Sequence, residues 1–142
     1  MAYLWGMEMD YSLDQIDEVA AKLIKEYTNK YIWAFYAPMG AGKTTLIARI
    51  CKKMGVEETV ASPTFSIMNE HYTNGKKIYH MDWYRLEDEA EAIRTGVEAA
   101  MDEADVCFIE WPEKAEALLP EGTLKLKIEI LDPEHRRIII TS

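Results

Sequence analysis

The segment Tyr31-Ile32-Trp33-Ala34-Phe35-Tyr36-Ala37-Pro38-Met39-Gly40-Ala41-Gly42-Lys43-Thr44-Thr45 constrains the fold more than any other stretch of the chain. It opens with aliphatic and aromatic residues that do not alternate with polar ones. That is the pattern of a strand covered on both faces, typical of a parallel strand inside an α/β sheet. A glycine-bearing turn follows at once, and then Leu46, Ile47, Ile50, Cys51 and Met54 recur at helical spacing. Strand, glycine-rich turn and helix in this order are the context that a phosphate-binding P-loop requires. Gly40 and Gly42 let the backbone curl until successive N–H groups point at one anion. The helix starting near Lys43 adds the positive end of its dipole. In that arrangement Lys43 reaches the terminal phosphates and Thr44 offers its hydroxyl to magnesium. The full pattern has glycine where Ala37 stands, so the match is incomplete.

A P-loop site needs an acid to hold the metal or orient water, normally at the end of a buried strand. Two carboxylates fit: Glu110 ends Val106-Cys107-Phe108-Ile109, and Asp82 closes Ile78-Tyr79-His80-Met81. Periodicity does not choose between them, because strand ends commonly carry solvated carboxylates. Ser62-Pro63-Thr64-Phe65 places hydroxyls beside a proline, where an ordinary turn is the commoner use than positioning water or phosphate. His80, alone inside a strand, reads as a packing or hydrogen-bonding residue rather than a metal ligand. Trp83-Tyr84-Arg85 and Trp111-Pro112 can stack on a base or a partner, with core or rim packing as the default.

The remaining elements are consistent with an α/β frame. Ser12 is a candidate N-cap for a first helix whose stripe is Ile16, Val19, Ala20, Leu23, Ile24 and Tyr27. Ser66 to Tyr72 and Lys76 to Tyr84 flank Thr73-Asn74-Gly75, and Asn-Gly is a strong hairpin signal. Leu86 to Thr95 reads as an acidic helix closing near Gly96, and its run Glu87-Asp88-Glu89-Ala90-Glu91 as a solvated face before a docking surface. Leu124, Leu126, Ile128 and Ile130 alternate with polar residues, and a turn at Asp132-Pro133-Glu134 leads to Ile138-Ile139-Ile140. That pair reads as an antiparallel hairpin. The expected fold is a three-layer α/β P-loop domain over residues 1–142, with a mixed, mainly parallel sheet and a terminal antiparallel hairpin.

Charge narrows the partners. Lys and Arg number 16 against 25 Asp and Glu, a formal net charge of −9. An autonomous nucleic-acid binder normally shows a basic face. Phosphate should therefore be gripped at one local site, against the field of the whole chain. Cys51 and Cys107 sit in apolar surroundings without a Cys-x-x-Cys pair, which predicts two buried free thiols. Met1-Ala2-Tyr3-Leu4-Trp5 does not read as a signal peptide, and a cytoplasmic location is expected.

Four motifs, in order, carry a family resemblance. They are Gly40-Ala41-Gly42-Lys43-Thr44-Thr45, Ser62-Pro63-Thr64-Phe65, His80-Met81-Asp82-Trp83-Tyr84-Arg85-Leu86 and Ile109-Glu110-Trp111-Pro112-Glu113. From about Ser12 to Pro120 the chain resembles the TsaE (YjeE) family, P-loop ATPases of bacterial tRNA threonylcarbamoyladenosine biosynthesis. The resemblance implies ATP and Mg2+ as cofactors, bound by Met39, Gly40, Ala41, Gly42, Lys43, Thr44 and Thr45. It implies that Lys43 binds the β- and γ-phosphates, and that Thr44, Asp82 and Glu110 serve the metal. By the same resemblance Glu110 is chiefly a metal ligand, Asp82 serves metal or water, and Thr64 lies near the γ-phosphate. Trp111 then borders the nucleotide pocket or a partner surface. The implied partners are TsaB and TsaD, with tRNA met only through that complex, and the implied activity is a weak, partner-stimulated ATPase supporting threonylcarbamoyl transfer. The family usually begins its loop Gly-Asp-Leu-Gly where this chain has Ala37-Pro38-Met39-Gly40, and often carries threonine at the position of Gln15.

Two other functions share this frame. A small metabolite kinase usually needs an arginine-bearing lid, and here Arg49, Arg85, Arg94, Arg136 and Arg137 are scattered through the sequence. A non-catalytic nucleotide-binding module needs the same loop but no organised water.

Overall fold

The structure, a computed structural model, describes residues 7–63 and 67–141. Thr64, Phe65 and the Ser66 start of the expected hairpin lie outside the described residues, as does the Met1–Trp5 segment. In chain order the strands are β1 (Met7–Ser12), β2 (Ile32–Tyr36), β3 (Met68–Thr73), β4 (Lys76–Asp82), β5 (Val106–Glu110), β6 (Leu124–Asp132) and β7 (His135–Thr141). The α-helices are α1 (Ile16–Glu26), α2 (Lys43–Met54), α3 (Glu89–Arg94) and α4 (Val97–Glu103). Two 3₁₀ segments, Leu13–Gln15 and Pro112–Leu118, complete the described elements.

All seven strands form one sheet in the order β1-β7-β6-β2-β5-β4-β3. The parallel pairings β6–β2, β2–β5 and β5–β4 hold its centre. The antiparallel pairings β1–β7, β7–β6 and β4–β3 extend it to both edges. The unalternating sequence of β2 has its reason in the core. Trp33 and Phe35 join α1 and α2 in one apolar cluster, while Ile32 belongs to a second cluster beneath α3, α4 and Pro112–Leu118. In β5, Phe108 points into the first cluster and Cys107 and Ile109 into the second. Each fully buried Ile, Leu or Phe contributes about 1.5–3 kcal/mol, so covering both faces of the central strands dominates the stability of this frame. Helices on both faces of a mixed sheet are the three-layer α/β arrangement read from the sequence.

Several boundaries differ from the sequence reading. Strand β1 was not expected, although Met7, Met9 and Tyr11 alternate with Glu8, Asp10 and Ser12, and it covers β7 at the sheet edge. Ser12 ends that strand and is an N-cap as expected, but of the 3₁₀ turn that leads into α1, and its N–H donates to the Gln15 side-chain oxygen at 2.9 Å. The acidic helix is shorter than expected because Asp88 caps it, accepting from the Glu91 N–H at 2.8 Å. Gly96, at φ +86°, then starts the unexpected α4. The Asn74-Gly75 turn has both residues at positive φ, 51° and 76°, as a two-residue hairpin loop demands.

Candidate nucleotide site

The C-terminal edge of the central parallel strands is where an open α/β sheet offers a crevice. Three strand ends meet there in register: Phe35 of β2 lies opposite Glu110, and Glu110 of β5 lies opposite Asp82 of β4. The chain leaves β2 through Ala37 and Pro38 and re-enters helix at Lys43. Gly40 and Gly42 take φ of 83° and 93°, angles that a side chain disfavours. A Cβ built on either would meet nothing within 4 Å, so backbone angle rather than crowding demands glycine there. Ala37 is not among the non-glycine residues at positive φ, which are Asn74 and Trp111 among the described residues. Loop entry thus needs no glycine at Ala37, and its carbonyl accepts from Lys43 Nζ at 2.8 Å.

A cavity of about 390 Å³ is lined by Met39, Gly40, Ala41, Gly42, Lys43, Thr44, Thr45, Asp82, Glu110 and Trp111, together with Ser62 and Tyr84. Of the sequence-derived site residues only Thr64 is not placed there, because it lies outside the described residues. The Thr44 hydroxyl stands 2.9 Å from both Glu110 oxygens and 2.8 Å from the Ser62 hydroxyl. Burial pulls the Lys43 ammonium below its ordinary value, while Glu110, Glu113 and Asp82 oppose that shift. The Asp82 carboxyl is pushed up, chiefly by burial and further by Glu110, against the N–H that Tyr84 donates to it at 3.0 Å.

Lys43 Nζ also lies 3.5 Å from the centre of the Trp111 ring, a cation–π contact. Trp111 itself holds a left-handed backbone at φ 59°, which costs a non-glycine residue about 1–2 kcal/mol. Its ring leans on Tyr84 at 5.0 Å between centroids. Trp83, by contrast, is fully buried in the second cluster. The oxygen donors Thr44, Ser62, Asp82 and Glu110 suit a hard divalent cation. No group of three or more His, Cys, Asp or Glu able to hold a metal occurs among the described residues.

Three residues outside the motif assignments bear on this site. Ser62, taken as part of a turn, joins Thr44 and Glu110. His80, expected to pack or hydrogen-bond, is fully buried with Nε2 2.7 Å from Glu110 Oε2, a partner the sequence did not indicate. Its spacing of two from Asp82 on one strand was the available signal, since such residues share a face. Arg136 is buried and donates from Nε to the Ala41 carbonyl at 3.1 Å, a contact that no local pattern announces.

Most of the chain resembles proteins of one family. The family model described as "Threonylcarbamoyl adenosine biosynthesis protein TsaE" matches residues 11–139. The chain belongs to the TsaE family. It is 37% identical to the tRNA threonylcarbamoyladenosine biosynthesis protein TsaE of Haemophilus influenzae over 111 residues, 78% of this chain and 70% of that one. The protein of that name from Bacillus subtilis is 36% identical over 104 residues, 73% of this chain and 65% of that one. The Aquifex aeolicus relative is 30% identical over 138 residues, covering 94% of this chain and 92% of its own. A crystal structure of Bacillus subtilis YdiB superposes with a TM-score of 0.77 at 24% identity, over 99% of this chain and 88% of that one, which shows the shared fold. Family membership ties the chain to threonylcarbamoyladenosine biosynthesis. No described helix is long and apolar enough to cross a membrane.

Proposed function

We propose that this TsaE-family chain is a single P-loop domain that binds and hydrolyses ATP with Mg2+, supporting turnover of a TsaB–TsaD threonylcarbamoyl transferase in the cytoplasm. The observation that carries this is the glycine-turned loop between β2 and α2, which aims its backbone and Lys43 into the cavity closed by Thr44, Asp82 and Glu110. Curled N–H groups and a helix N-terminus favour an anion, and Lys43 adds a full positive charge. Lys43 rests on the Ala37 carbonyl and the Trp111 face, so a polyphosphate draws it from weaker partners. Thr44, Glu110 and Asp82 would hold Mg2+, which supplies charge neutralisation to the developing phosphoryl oxygens. Asp82, its carboxyl pushed up by burial, is the acid suited to orienting water. Thr64 is assigned a place near the γ-phosphate on the family pattern. The net charge of −9 suits a subunit that reaches tRNA through its partners.

The test is Mg2+-dependent phosphate release from ATP as purified TsaB and TsaD are added stepwise. Rates should rise with the complete set. Lys43→Ala should lower the stimulated rate on the order of 100-fold or more, as losing a charge clamp on a transferring phosphoryl does. Full activity in that variant would overturn the site assignment. ATP binding without phosphate release, even with both partners, would favour a non-catalytic assembly module.

A further inference from the structure

The geometry points to His80 as a positioning residue for Glu110: its Nε2–H holds one carboxylate oxygen and so presents the other to the cation position beside Thr44. This rests on the P-loop ATPase proposal and adds to it a residue outside the loop and outside the pair of acids.

His80 lies on β4 two residues before Asp82, which puts both on the sheet face that carries Glu110. It is fully buried, and Glu110 is 3% exposed. Nε2 stands 2.7 Å from Glu110 Oε2. An ionised carboxylate has no hydrogen to give, so Nε2 carries the proton and donates. Nδ1 is buried with no hydrogen-bond partner among the described residues. A buried acceptor without a donor costs free energy that leucine at the same place would not incur. The polar value of this imidazole therefore lies in the Glu110 contact.

That contact resolves a freedom the carboxylate otherwise keeps. The last torsion of glutamate is broad and nearly two-fold, so packing alone does not decide which oxygen faces the cavity. Oε2 accepts from His80 and has the Ser62 hydroxyl at 3.3 Å. The Thr44 hydroxyl is 2.9 Å from each oxygen and can donate to only one at a time. Oε1 has no such contact with His80 or Ser62 and is the oxygen left for a cation. A rigid imidazole behind a carboxylate ligand is the outer-shell device that fixes ligand orientation, and losing such a partner typically weakens metal binding about 10–100-fold.

The experiment uses the full chain as wild type, Lys43→Ala, His80→Leu and His80→Gln. Long-range 1H–15N NMR of the metal-free wild type should show His80 protonated at Nε2. ATP affinity in EDTA should be within about two-fold of wild type in His80→Leu, because the loop and Lys43 are intact. Mn2+ affinity of the ATP-loaded protein, read by electron paramagnetic resonance, should fall about ten-fold or more in His80→Leu. His80→Gln, whose amide can still donate, should recover most of that loss. A bare Nε2 with the proton on Nδ1, or an unchanged Mn2+ affinity in His80→Leu, would overturn the assignment. So would a parallel fall of melting temperature and metal-free ATP affinity in His80→Leu, or His80→Gln behaving no better than His80→Leu. Failure of the ATPase proposal shows separately, as equal ATP binding by wild type and Lys43→Ala before any His80 variant is compared.

Discussion

Single residues in this chain act through the charge that faces them, and Asp132 with His135 is a pair whose titration can be followed directly. The Asp132 carboxylate accepts from the N–H groups of Glu134 and His135 at 2.8 and 2.9 Å, and from His135 Nδ1 at 2.9 Å. The hydrogen bond to Asp132 lifts His135 above its ordinary 6.5, and the same bond holds Asp132 below its ordinary 3.8. The His135 contribution is complete below 6.5 and is lost as pH rises through its raised folded value. The Asp132 contribution is complete above 3.8 and is lost as pH falls through its lowered one. The turn is therefore best supported between those limits. In a proton NMR titration His135 should have a midpoint above 6.5, and Asp132→Asn should bring it back toward that value. An unmoved midpoint would show that the contact does not persist in solution. The cysteines show the opposite case: burial pushes the Cys51 thiol up to about 12 and raises Cys107 further, which leaves two unreactive core thiols.

At the scale of elements, the end of α2 sits close against the turn of the β3–β4 hairpin. Lys52, Lys53 and Gly55 mark the helix end, and Gly55 takes φ +110° while its N–H closes onto the Lys52 carbonyl at 3.1 Å. Left-handed backbone alone costs an alanine about 1–2 kcal/mol. Here the space is also taken, since a Cβ on Gly55 would stand 2.7 Å from Thr73 Oγ1 and 3.1 Å from Asn74 Nδ2. Gly55→Ala should lower unfolding free energy by about 2 kcal/mol or more in urea denaturation, because strain and crowding add. Gly75→Ala, at φ +76° but with nothing within 4 Å of its Cβ, should cost less. Equal losses in the two variants would remove crowding as the cause.

Across the whole molecule, Arg136 joins the phosphate loop to the far hairpin. Arg136 is 7% exposed, and its guanidinium donates to the carbonyls of Ala41 at 3.1 Å, Asp132 at 2.8 Å and His135 at 3.0 Å. Arg136→Met keeps the apolar stem but takes this donor from the buried Ala41 carbonyl, and an unsatisfied buried group costs about 1–3 kcal/mol. The melting temperature should fall, and ATP affinity should weaken several-fold as the loop loses its tether at Ala41. Calorimetry of unfolding and of ATP binding reads both, and unchanged values for the two would refute the tether. The same contact explains why sheet order matters here: β7, distant in sequence, lies next to β6 and β6 next to β2, the strand that feeds the loop.

The sequence by itself determined the local matters. Unalternating β2, the glycines at left-handed positions, the Asn74-Gly75 turn, the alternating β6 and the ordered motifs of the TsaE family are all written within short windows. They specify strand, turn, helix and a phosphate loop. Two acids at strand ends were legible as candidates, yet their meeting required β4 to lie beside β5 in the register that sets Asp82 opposite Glu110. Only the tertiary structure decided that Ser62 and His80 close on Glu110 and that Arg136 reaches Ala41. The physical reason is range. Backbone angle and amphipathic period act over a few residues, whereas hydrogen bonds between groups dozens of positions apart exist only after the sheet has chosen its strand order.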